Sequence, residues 1–360
     1  MTKEEVFVFN KFTPPALDKP FVFGVTGLAH GHIYGMVNGL IGAGATMKAI
    51  WEEDKALLDA FLKKYPYVKV CETLDELLAD EEISLIASAS VPVTRAPIAI
   101  RAMRAGKDFF VDKAPLITLE QLAEVKACCA ETGRKLFVYY SEFVAVEAAV
   151  YAKQLIERGV IGEVSHIDIF APHSLAKPTR PDWFWRREDT GGILIDIGSH
   201  QFHQFLEYSG CNEATVTAAR VGNYFNSDVG DGFDDFGDAM LTAANGVTGY
   251  VRIDWMSPKG IGTWGDGRVT IIGSKGYIEL RKNCNLAYPH TTSNVFVAVD
   301  EGAYFESVAG KVGLAFYSNV IKDCINRTDT AMSPEQAFNA IELAIKAQLV
   351  GLDKGKIIYG

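Results

Sequence analysis

The sequence has few cysteines, and they are scattered. Its six cysteines form neither the closely spaced pairs of a zinc ribbon nor the density of a secreted disulfide-rich domain. Residues 1–20 carry acidic side chains and two adjacent prolines where a signal peptide has a basic region followed by an apolar run. We therefore expect a cytoplasmic protein.

Excess positive charge is also missing. The 35 lysines and arginines are outnumbered by 45 acidic residues, which gives a formal net charge of -10. Nucleic acids and anionic membranes favour proteins with clustered lysine and arginine, and no apolar run in this sequence is long enough to cross a bilayer. We expect neither a nucleic-acid nor a membrane partner, and a small polyhydroxylated metabolite fits the composition better.

What is present indicates two domains of an α/β protein. A chain of 360 residues exceeds what a single core usually supports, although one large α/β barrel has a similar length. After an N-terminal arm over residues 1–20, β-type runs alternate with helical patterns through residues 21–141, which predicts a parallel Rossmann sheet that binds NAD or NADP. Residues 142–360 contain mainly strand patterns, which predict a large, mostly antiparallel open sheet with a closing C-terminal helix.

The second domain has too few helices to cover both faces of its predicted sheet. Helical patterns over residues 198–208 and 334–349 cover one face and leave the other in need of a partner. Because this domain would also hold the substrate, it is predicted to serve both substrate binding and oligomerisation. We expect a homodimer or homotetramer that associates through the open sheet.

A glycine-containing loop follows the first strand pattern and reads Gly27-Leu28-Ala29-His30-Gly31-His32. It departs from G-x-G-x-x-G, because Ala29 and His32 occupy the second and third glycine positions. Its context still predicts a dinucleotide site, because a helix follows whose N-terminal amides can hold a pyrophosphate. The alternative is a tight turn without a ligand, and His30 and His32 are equally suited to donating to phosphate and to capping or packing.

An acidic residue, Glu52, ends the second strand pattern of this domain. A carboxylate at that position accepts hydrogen bonds from the ribose hydroxyls and repels a 2'-phosphate. The sequence therefore predicts NAD in preference to NADP. The alternative is that Glu52 is an ordinary solvated acid.

Two further segments resemble a known family. The segment AGKDFFVDKA at residues 105–114 resembles the AGKHVxxEKP signature of the glucose-fructose oxidoreductase and inositol dehydrogenase family, called Gfo/Idh/MocA. The pair Trp185-Arg186, followed by GGILIDIGSH at residues 191–200, is similar to its GGxLxDxGxH signature. The resemblance spans residues 20–350 in the expected order.

The resemblance implies an oxidoreductase with its active site between a Rossmann domain and an open-sheet domain. It places Lys113 beside the nicotinamide and the reacting oxygen, and it makes Asp196 and His200 the acid and the histidine that complete the site. Trp185 and Arg186 are assigned to the cofactor side. The full set of predicted cofactor-binding residues is Gly27, Leu28, Ala29, His30, Gly31, His32, Glu52, Ser90, Arg95, Asp112, Lys113, Trp185 and Arg186.

The chain departs from the family pattern at three places. Asp112 is one methylene shorter than the family glutamate, and Ala114 replaces the proline, which follows as Pro115. His203 stands where most members carry an acid. These departures affect the expected backbone around Lys113 and the expected substrate preference.

Oxidation of a secondary alcohol requires a base with a pKa near neutrality and a cation that stabilises the developing alkoxide. His200 and Lys113 suit these roles, and Asp196 is placed to orient the imidazole or to hold a substrate hydroxyl. Taken without the family, Lys113 is more often a salt-bridged surface residue and His200 a core histidine.

A segment rich in proline, tryptophan and arginine precedes the second signature. His173, Arg180 and Trp183 offer hydrogen-bonding groups and an indole face that suit a sugar, whereas the alternative is a loop that packs on the sheet. For His203, substrate contact and packing are equally favoured. The three histidines of this region and Asp196 are also of the type that binds a divalent ion, but their spacing matches no metal motif, and no metal site is predicted.

These features together predict an NAD-dependent dehydrogenase that acts on a secondary alcohol of a sugar, an inositol or a glycoside. One alternative is an NAD-dependent glycoside-processing enzyme that passes through a keto intermediate without net redox change. Another is a catalytically silent NAD-binding regulatory protein, which the presence of Lys113, Asp196 and His200 argues against.

Overall fold

The computed structural model describes residues 1–230, 232–288 and 291–353, and these residues form two compact units. The first, called the Rossmann unit below, contains Thr13–Tyr139 and Ala315–Phe338. The second, called the open-sheet unit, contains Met1–Phe12, Tyr140–Leu314 and the chain from Asn339 onward. Residues 354–360, the end of the predicted second domain, lie outside the described residues.

The Rossmann unit is built on a parallel sheet of six strands in the order β3-β2-β1-β4-β5-β6. Its strands are β1 (Val22–Thr26), β2 (Thr46–Trp51), β3 (Lys69–Val70), β4 (Leu85–Ser88), β5 (Asp108–Asp112) and β6 (Leu136–Tyr139). Its helices are α2 (His32–Gly42), α3 (Lys55–Lys64), α4 (Leu74–Ala79), α5 (Pro92–Arg104), α6 (Leu119–Thr132) and α12 (Phe316–Asn326). The strand order reverses between β1 and β4, which is where such sheets bind dinucleotides.

Local sequence explains the limits of these elements. The side chains of Asp54, Thr73 and Thr118 accept hydrogen bonds from backbone amides at the starts of α3, α4 and α6. Helix α6 ends at Gly133, which has the left-handed conformation that glycine adopts without strain. Strands β4, β5 and β6 are buried along their whole length, as expected for central strands of a sheet covered on both faces.

The open-sheet unit contains eight strands in the order β14-β13-β12-β11-β7-β10-β9-β8. All neighbours are antiparallel except β7 and β10. The strands are β7 (Val164–Pro172), β8 (Ala214–Gly222), β9 (Phe236–Ala243), β10 (Thr248–Asp254), β11 (Arg268–Gly273), β12 (Gly276–Arg281), β13 (Asn294–Val299) and β14 (Gly302–Ser307). The helices that begin in this unit are α1 (Lys3–Val6), α7 (Ser141–Val144), α8 (Glu147–Glu157), α9 (Arg187–Thr190), α10 (Ile193–Asp196) and α11 (Gly198–Ser209). Helix α13 (Pro334–Leu352) begins in the Rossmann unit and ends in this one.

The two faces of this sheet differ in burial. Alternate residues of β9, β10, β11 and β12 are buried on the face that packs against α11 and α8. On the opposite face, the side chains of Met240, Ile272 and Tyr277 are exposed in the single chain. The α/β class with a parallel Rossmann sheet and a separate, mostly antiparallel sheet is therefore confirmed.

The division of the chain differs from the predicted boundaries in two places. Residues 1–12 are part of the open-sheet unit because the Tyr151 hydroxyl donates to the Val6 carbonyl at 3.0 Å and the Phe12 amide donates to the Val312 carbonyl at 2.7 Å. The returning segment 315–338 joins the Rossmann unit because Tyr317 of α12 donates to the Tyr139 hydroxyl at 3.0 Å. Within the described residues, no helix is both long and apolar enough to span a membrane.

Candidate functional site

The loop after β1 lies at the point where the strand order of the Rossmann sheet reverses. Gly27 has φ +71°, and a Cβ at this position would lie 2.5 Å from the Cβ of Ser90 in the loop after β4. The two loops are joined because the Ala89 amide donates to the Gly27 carbonyl at 2.9 Å and the His30 amide donates to the Ala89 carbonyl at 3.0 Å. Glycine is therefore required at position 27 by both backbone conformation and space.

Glu52 lies directly after β2 and holds the same loop. Its Oε2 accepts from the Leu28 amide at 2.7 Å, and its Oε1 accepts from the Asp54 amide at 3.0 Å. The carboxylate is thus fixed next to the loop, and each of its oxygens retains a second lone pair for a hydroxyl donor. The ribose contact of Glu52 stays a prediction.

Three observations show that the loop suits a dinucleotide. Helix α2 begins at His32, so the positive end of its dipole lies at the loop, where the amides of Ile33 and Tyr34 make only long bonds, of 3.2 and 3.3 Å, to the carbonyls of the preceding turn. The Ser90 hydroxyl oxygen is buried and has no hydrogen-bond partner among the described residues. A Cβ added at Gly31 would meet no heavy atom within 4 Å, so the backbone is open to close approach at this position.

His30, His32 and Asp112 form a cluster in this unit. The Nδ1 of His30 is 2.7 Å from Oδ2 of Asp112, and the Nδ1 of His32 is 2.8 Å from Oδ1. The pKa of His30 is lowered to about 4, chiefly by burial and also by His32. Burial by itself raises the pKa of the Asp112 carboxyl, but His32, His30 and Arg95 outweigh it and hold this pKa well below its usual range.

Arg95 fixes the backbone that carries Lys113. Its guanidinium is 1% exposed and donates to the carbonyls of Ser90, Asp112 and Ala114 at 2.8, 3.0 and 2.8 Å, and also to the carbonyl of Lys113. The Lys113-Ala114 peptide is cis. Lys113 is 7% exposed, so it is not the surface lysine of the alternative interpretation. The internal bonds of Arg95 favour support of the site over direct cofactor contact.

A second polar cluster lies within the open-sheet unit around α11. The Nζ of Lys282 is 2.7 Å from Oε2 of Glu142 and 3.1 Å from Oε1 of Gln204, and the Gln204 amide nitrogen donates to the His200 carbonyl at 3.2 Å. His200 is 2% exposed. Burial alone raises the pKa of the Glu142 carboxyl, but Lys282, His200 and His173 together lower it far below the ordinary value. A carboxylate therefore stays ionised close to the predicted base.

His173 extends this cluster. Its Nδ1 donates to the Ala171 carbonyl at 3.0 Å, which leaves Nε2 directed towards Oε1 of Glu142 at 3.4 Å. The imidazole is 4.6 Å from the ring of Trp264 and 5.7 Å from the ring of Trp255. The predicted substrate residue His173 thus lies beside Glu142 and the rings of two tryptophans.

Asp196 and the residues before it lie on the same unit. Asp196 ends α10 and lines a small depression with Phe184, Phe233 and Trp255. The guanidinium of Arg180 stacks on the rings of Phe184 and Trp255 at 4.4 and 4.8 Å, and it donates to the Leu175 carbonyl at 2.8 Å. These contacts give Arg180 a role in packing the aromatic residues.

The remaining predicted residues differ in their surroundings. His203 is 2% exposed and stacks on Tyr140 at 4.5 Å, which favours packing over substrate contact. Arg186 is largely exposed and pairs with Asp189 at 2.5 Å, whereas Trp183 and Trp185 contact the ring of Phe184. The cofactor and substrate roles of these residues stay predictions.

Sequence reasoning missed Glu142, Lys282 and Gln204. No short motif contains them, because they come from α7, the connection after β12, and α11, which only the folded chain brings together. One available signal was an acid two residues after the apolar run that contains β6. A second was a glutamine four residues after His200, at the spacing that puts two side chains on one helix face.

The fold and the clusters define a class of protein first. A glycine loop at the reversal point of a parallel sheet, followed by an open-sheet unit with a buried polar cluster, is the arrangement of a two-domain, dinucleotide-binding oxidoreductase. Residues 22–140 match the family described as "Oxidoreductase family, NAD-binding Rossmann fold", and residues 149–279 match "GFO/IDH/MocA C-terminal domain". The chain belongs to the Gfo/Idh/MocA family of oxidoreductases, which confirms the resemblance seen in the sequence.

Individual relatives agree with this assignment. The crystal structure of a protein described as an oxidoreductase from Erwinia carotovora atroseptica is 43% identical, with a TM-score of 0.89 over 92% of this chain and 98% of the other. An uncharacterized oxidoreductase of Synechocystis sp. is 26% identical over 67% of this chain and 66% of its own length. A D-xylose dehydrogenase of Paenarthrobacter nicotinovorans is 26% identical over 41% of this chain and 39% of its own length.

Proposed function

We propose that the protein is an NAD-dependent dehydrogenase that transfers a hydride between nicotinamide and a secondary alcohol of a small polyhydroxylated substrate, such as a sugar, an inositol or a glycoside. The observation that carries the proposal is the fixed position of Lys113 at the carboxyl end of β5, in the same unit as a loop suited to a pyrophosphate. Carboxyl ends of strands are where open α/β sheets bind their ligands. The D-xylose dehydrogenase among the relatives supports the substrate class.

The cofactor would be held by the loop around Gly27, by Ser90 and by Glu52. When bound, NAD supplies a hydride acceptor. The Glu52 carboxylate, already fixed by two amides, favours NAD because it repels a 2'-phosphate. Trp185, Arg186 and the histidines of the loop complete the proposed contacts.

We assign His200 to accepting the proton of the substrate hydroxyl and Lys113 to stabilising the charge of the alkoxide. The ionised Glu142 stabilises positive charge on the imidazole of His200, which lets the histidine accept the hydroxyl proton. The Lys113 ammonium stabilises the negative charge that develops on the substrate oxygen. Asp196 is assigned to orienting the imidazole or holding a neighbouring hydroxyl.

The test is NADH formation with a panel of polyols, aldoses, inositols and glycosides. We expect Lys113→Ala to lower kcat by about 100-fold or more, because charge stabilisation of this kind contributes at least that much. Lys63→Ala, which changes an exposed lysine of α3, is the matched control. Full activity in Lys113→Ala would refute the assignment, and product formation without net NADH would replace it with the glycoside-processing reaction.

We also propose a homodimer or homotetramer that forms through the uncovered face of the large sheet. The face carries apolar side chains, including Met240, Ile272 and Tyr277, beside charged residues. Tyr277→Glu is expected to lower the mass measured by analytical ultracentrifugation, because it buries a charge in the interface. Tyr67→Glu, at an exposed tyrosine of the Rossmann unit, should leave the mass unchanged. A wild-type monomer at high concentration would contradict the proposal.

A further inference from the structure

The His30, His32 and Asp112 cluster brings together three groups that commonly bind metal ions. Two come from the H-x-H sequence at the start of α2, whose first residue is His32, and the third ends β5. One imidazole nitrogen of each histidine and one carboxylate oxygen of Asp112 all lie within 4.8 Å of one another. Sequence spacing alone does not reveal this set, because Asp112 is far from the histidines along the chain.

We propose that His30, His32 and Asp112 bind one divalent first-row transition-metal ion, with Zn²⁺ as the preferred occupant. Two imidazole nitrogens and one carboxylate oxygen form a ligand set found for zinc and for non-haem iron. Three protein ligands leave coordination positions for water or substrate, as in catalytic metal sites. The imidazoles are 26% and 33% exposed, so an ion has access from solvent.

The distances show how far the ligand atoms must move to bind this ion. Zinc bonds of about 2.1 Å that meet at the tetrahedral angle separate two ligand atoms by about 3.4 Å. The present N-to-O separations are 2.7 and 2.8 Å, so each pair of ligand atoms must move apart by about 0.6 Å to bind the ion. In the metal-bound state the ion takes the place of the two imidazole protons directed at Asp112.

The surroundings of Asp112 bear on which ion is preferred. Its Oδ2 also accepts from Arg95 at 3.1 Å, and its Oδ1 accepts from the Lys113 amide at 2.7 Å, so the carboxylate is oriented by outer contacts. The nearby guanidinium opposes a second cation. Strong bonds to imidazole are needed to outweigh this repulsion, which favours Zn²⁺ over Mg²⁺ or Ca²⁺, since those ions prefer oxygen ligands.

The experiment is a titration of the chelator-treated full-length protein with Co²⁺, followed by visible absorption, and with Zn²⁺, followed by calorimetry. We expect one ion per chain. His32→Ala should weaken binding by about 100-fold or more, because loss of outer-sphere contacts alone costs 10–100-fold. The matched control is His166→Ala, which removes another histidine paired with an aspartate, at 3.2 Å, on the exposed sheet face.

Several outcomes overturn the proposal. One is the absence of a Co²⁺ spectrum that saturates at one ion per chain. Another is ion binding that survives in His32→Ala but is lost in His166→Ala. His30→Ala provides a second test if His32→Ala fails to fold, as judged by circular dichroism. Normal NAD binding without any metal binding would identify the cluster as a hydrogen-bonded brace of the loop. Because ion binding is measured without substrate, its result is independent of the dehydrogenase assay.

Discussion

At the scale of single residues, one glycine of the loop after β1 leaves no room for a side chain, whereas another glycine of the same loop does. Gly27→Ala places a side chain at φ +71° against Ser90, so the free energy of unfolding should fall by about 1–3 kcal/mol. Gly31→Ala meets nothing within 4 Å and should change stability by less than about 1 kcal/mol, while its methyl group weakens NAD binding. Denaturant unfolding and NAD titration of both variants check this contrast. Equal stability loss in the two variants would contradict it.

The buried pair Glu142–Lys282 gives a second prediction at this scale. Both side chains are under 5% exposed, so Lys282→Met leaves a carboxylate without its nearest cation and should cost about 3–5 kcal/mol. Adding Glu142→Gln should recover part of that loss. The exposed pair Lys69–Glu76 is the control, because Lys69→Met should cost at most about 1 kcal/mol. Denaturant unfolding curves of the three variants test the prediction, and a similar loss at both pairs would oppose it.

The sequence reveals a site residue when that residue stands in a short motif. Gly27, Glu52, Lys113 and His200 stand in short motifs, and the structure places each at an element end or in a buried cluster. Asp112, His30 and His32 are all predicted as cofactor residues, but the sequence does not predict that the two histidines contact Asp112. Contacts between residues that are distant along the chain carry no periodicity, and therefore only the folded structure identifies them.

At the scale of secondary structure elements, the contact between α2 and α12 yields a further prediction. A Cβ at Gly39 would lie 2.2 Å from the ring of Tyr317, whereas a Cβ at Gly42 in the same helix would meet nothing within 4 Å. Gly39→Ala should therefore destabilise the protein. Gly42→Ala should be neutral or stabilise it by up to about 1 kcal/mol because alanine favours helix. Thermal unfolding checks the sign of each change, and a stabilising Gly39→Ala would show that the two helices do not pack so closely.

The elements themselves were predicted with uneven success. The apolar patterns predict a strand over residues 46–51 and a helix over residues 74–79, and β2 and α4 have these bounds. A helix predicted over residues 119–131 corresponds to α6, which ends one residue later, just before Gly133. The strands β13 and β14 and the helices α8 and α12 were not predicted. The strands β13 and β14 lie at one edge of the sheet, where strand formation depends on neighbours that the sequence does not identify. Helices α8 and α12 each bury a mostly apolar face, so their helical pattern is present in the sequence and was missed.

At the scale of the whole molecule, stability should fall in mild acid. The pKa of His203 is lowered to about 3 by burial, with Lys153 adding to the effect. Below pH 6.5 the unfolded chain binds a proton at this histidine and the folded chain does not, so the free energy of unfolding falls by about 1.4 kcal/mol per pH unit down to about pH 3. Glu142, whose pKa is depressed, adds a further loss as the pH falls below its unfolded value near 4.5.

Replacing the buried histidine isolates its share of this acid sensitivity. His203→Phe keeps a ring stacked on Tyr140 and removes the titrating group. Denaturant unfolding between pH 7 and 5 should then show a smaller slope of stability against pH than the wild-type chain. An unchanged slope would mean that His203 does not titrate between the two states.

The return of residues 315–338 to the Rossmann unit has a consequence for how the protein is made. Tyr317 reaches the end of β6 only after residues 140–314 of the open-sheet unit have been synthesised. A nascent chain that leaves the ribosome therefore exposes the α2 surface around Gly39 until translation is nearly complete. The Rossmann unit therefore acquires its final packing late, and a truncated chain that ends before α12 lacks part of this unit.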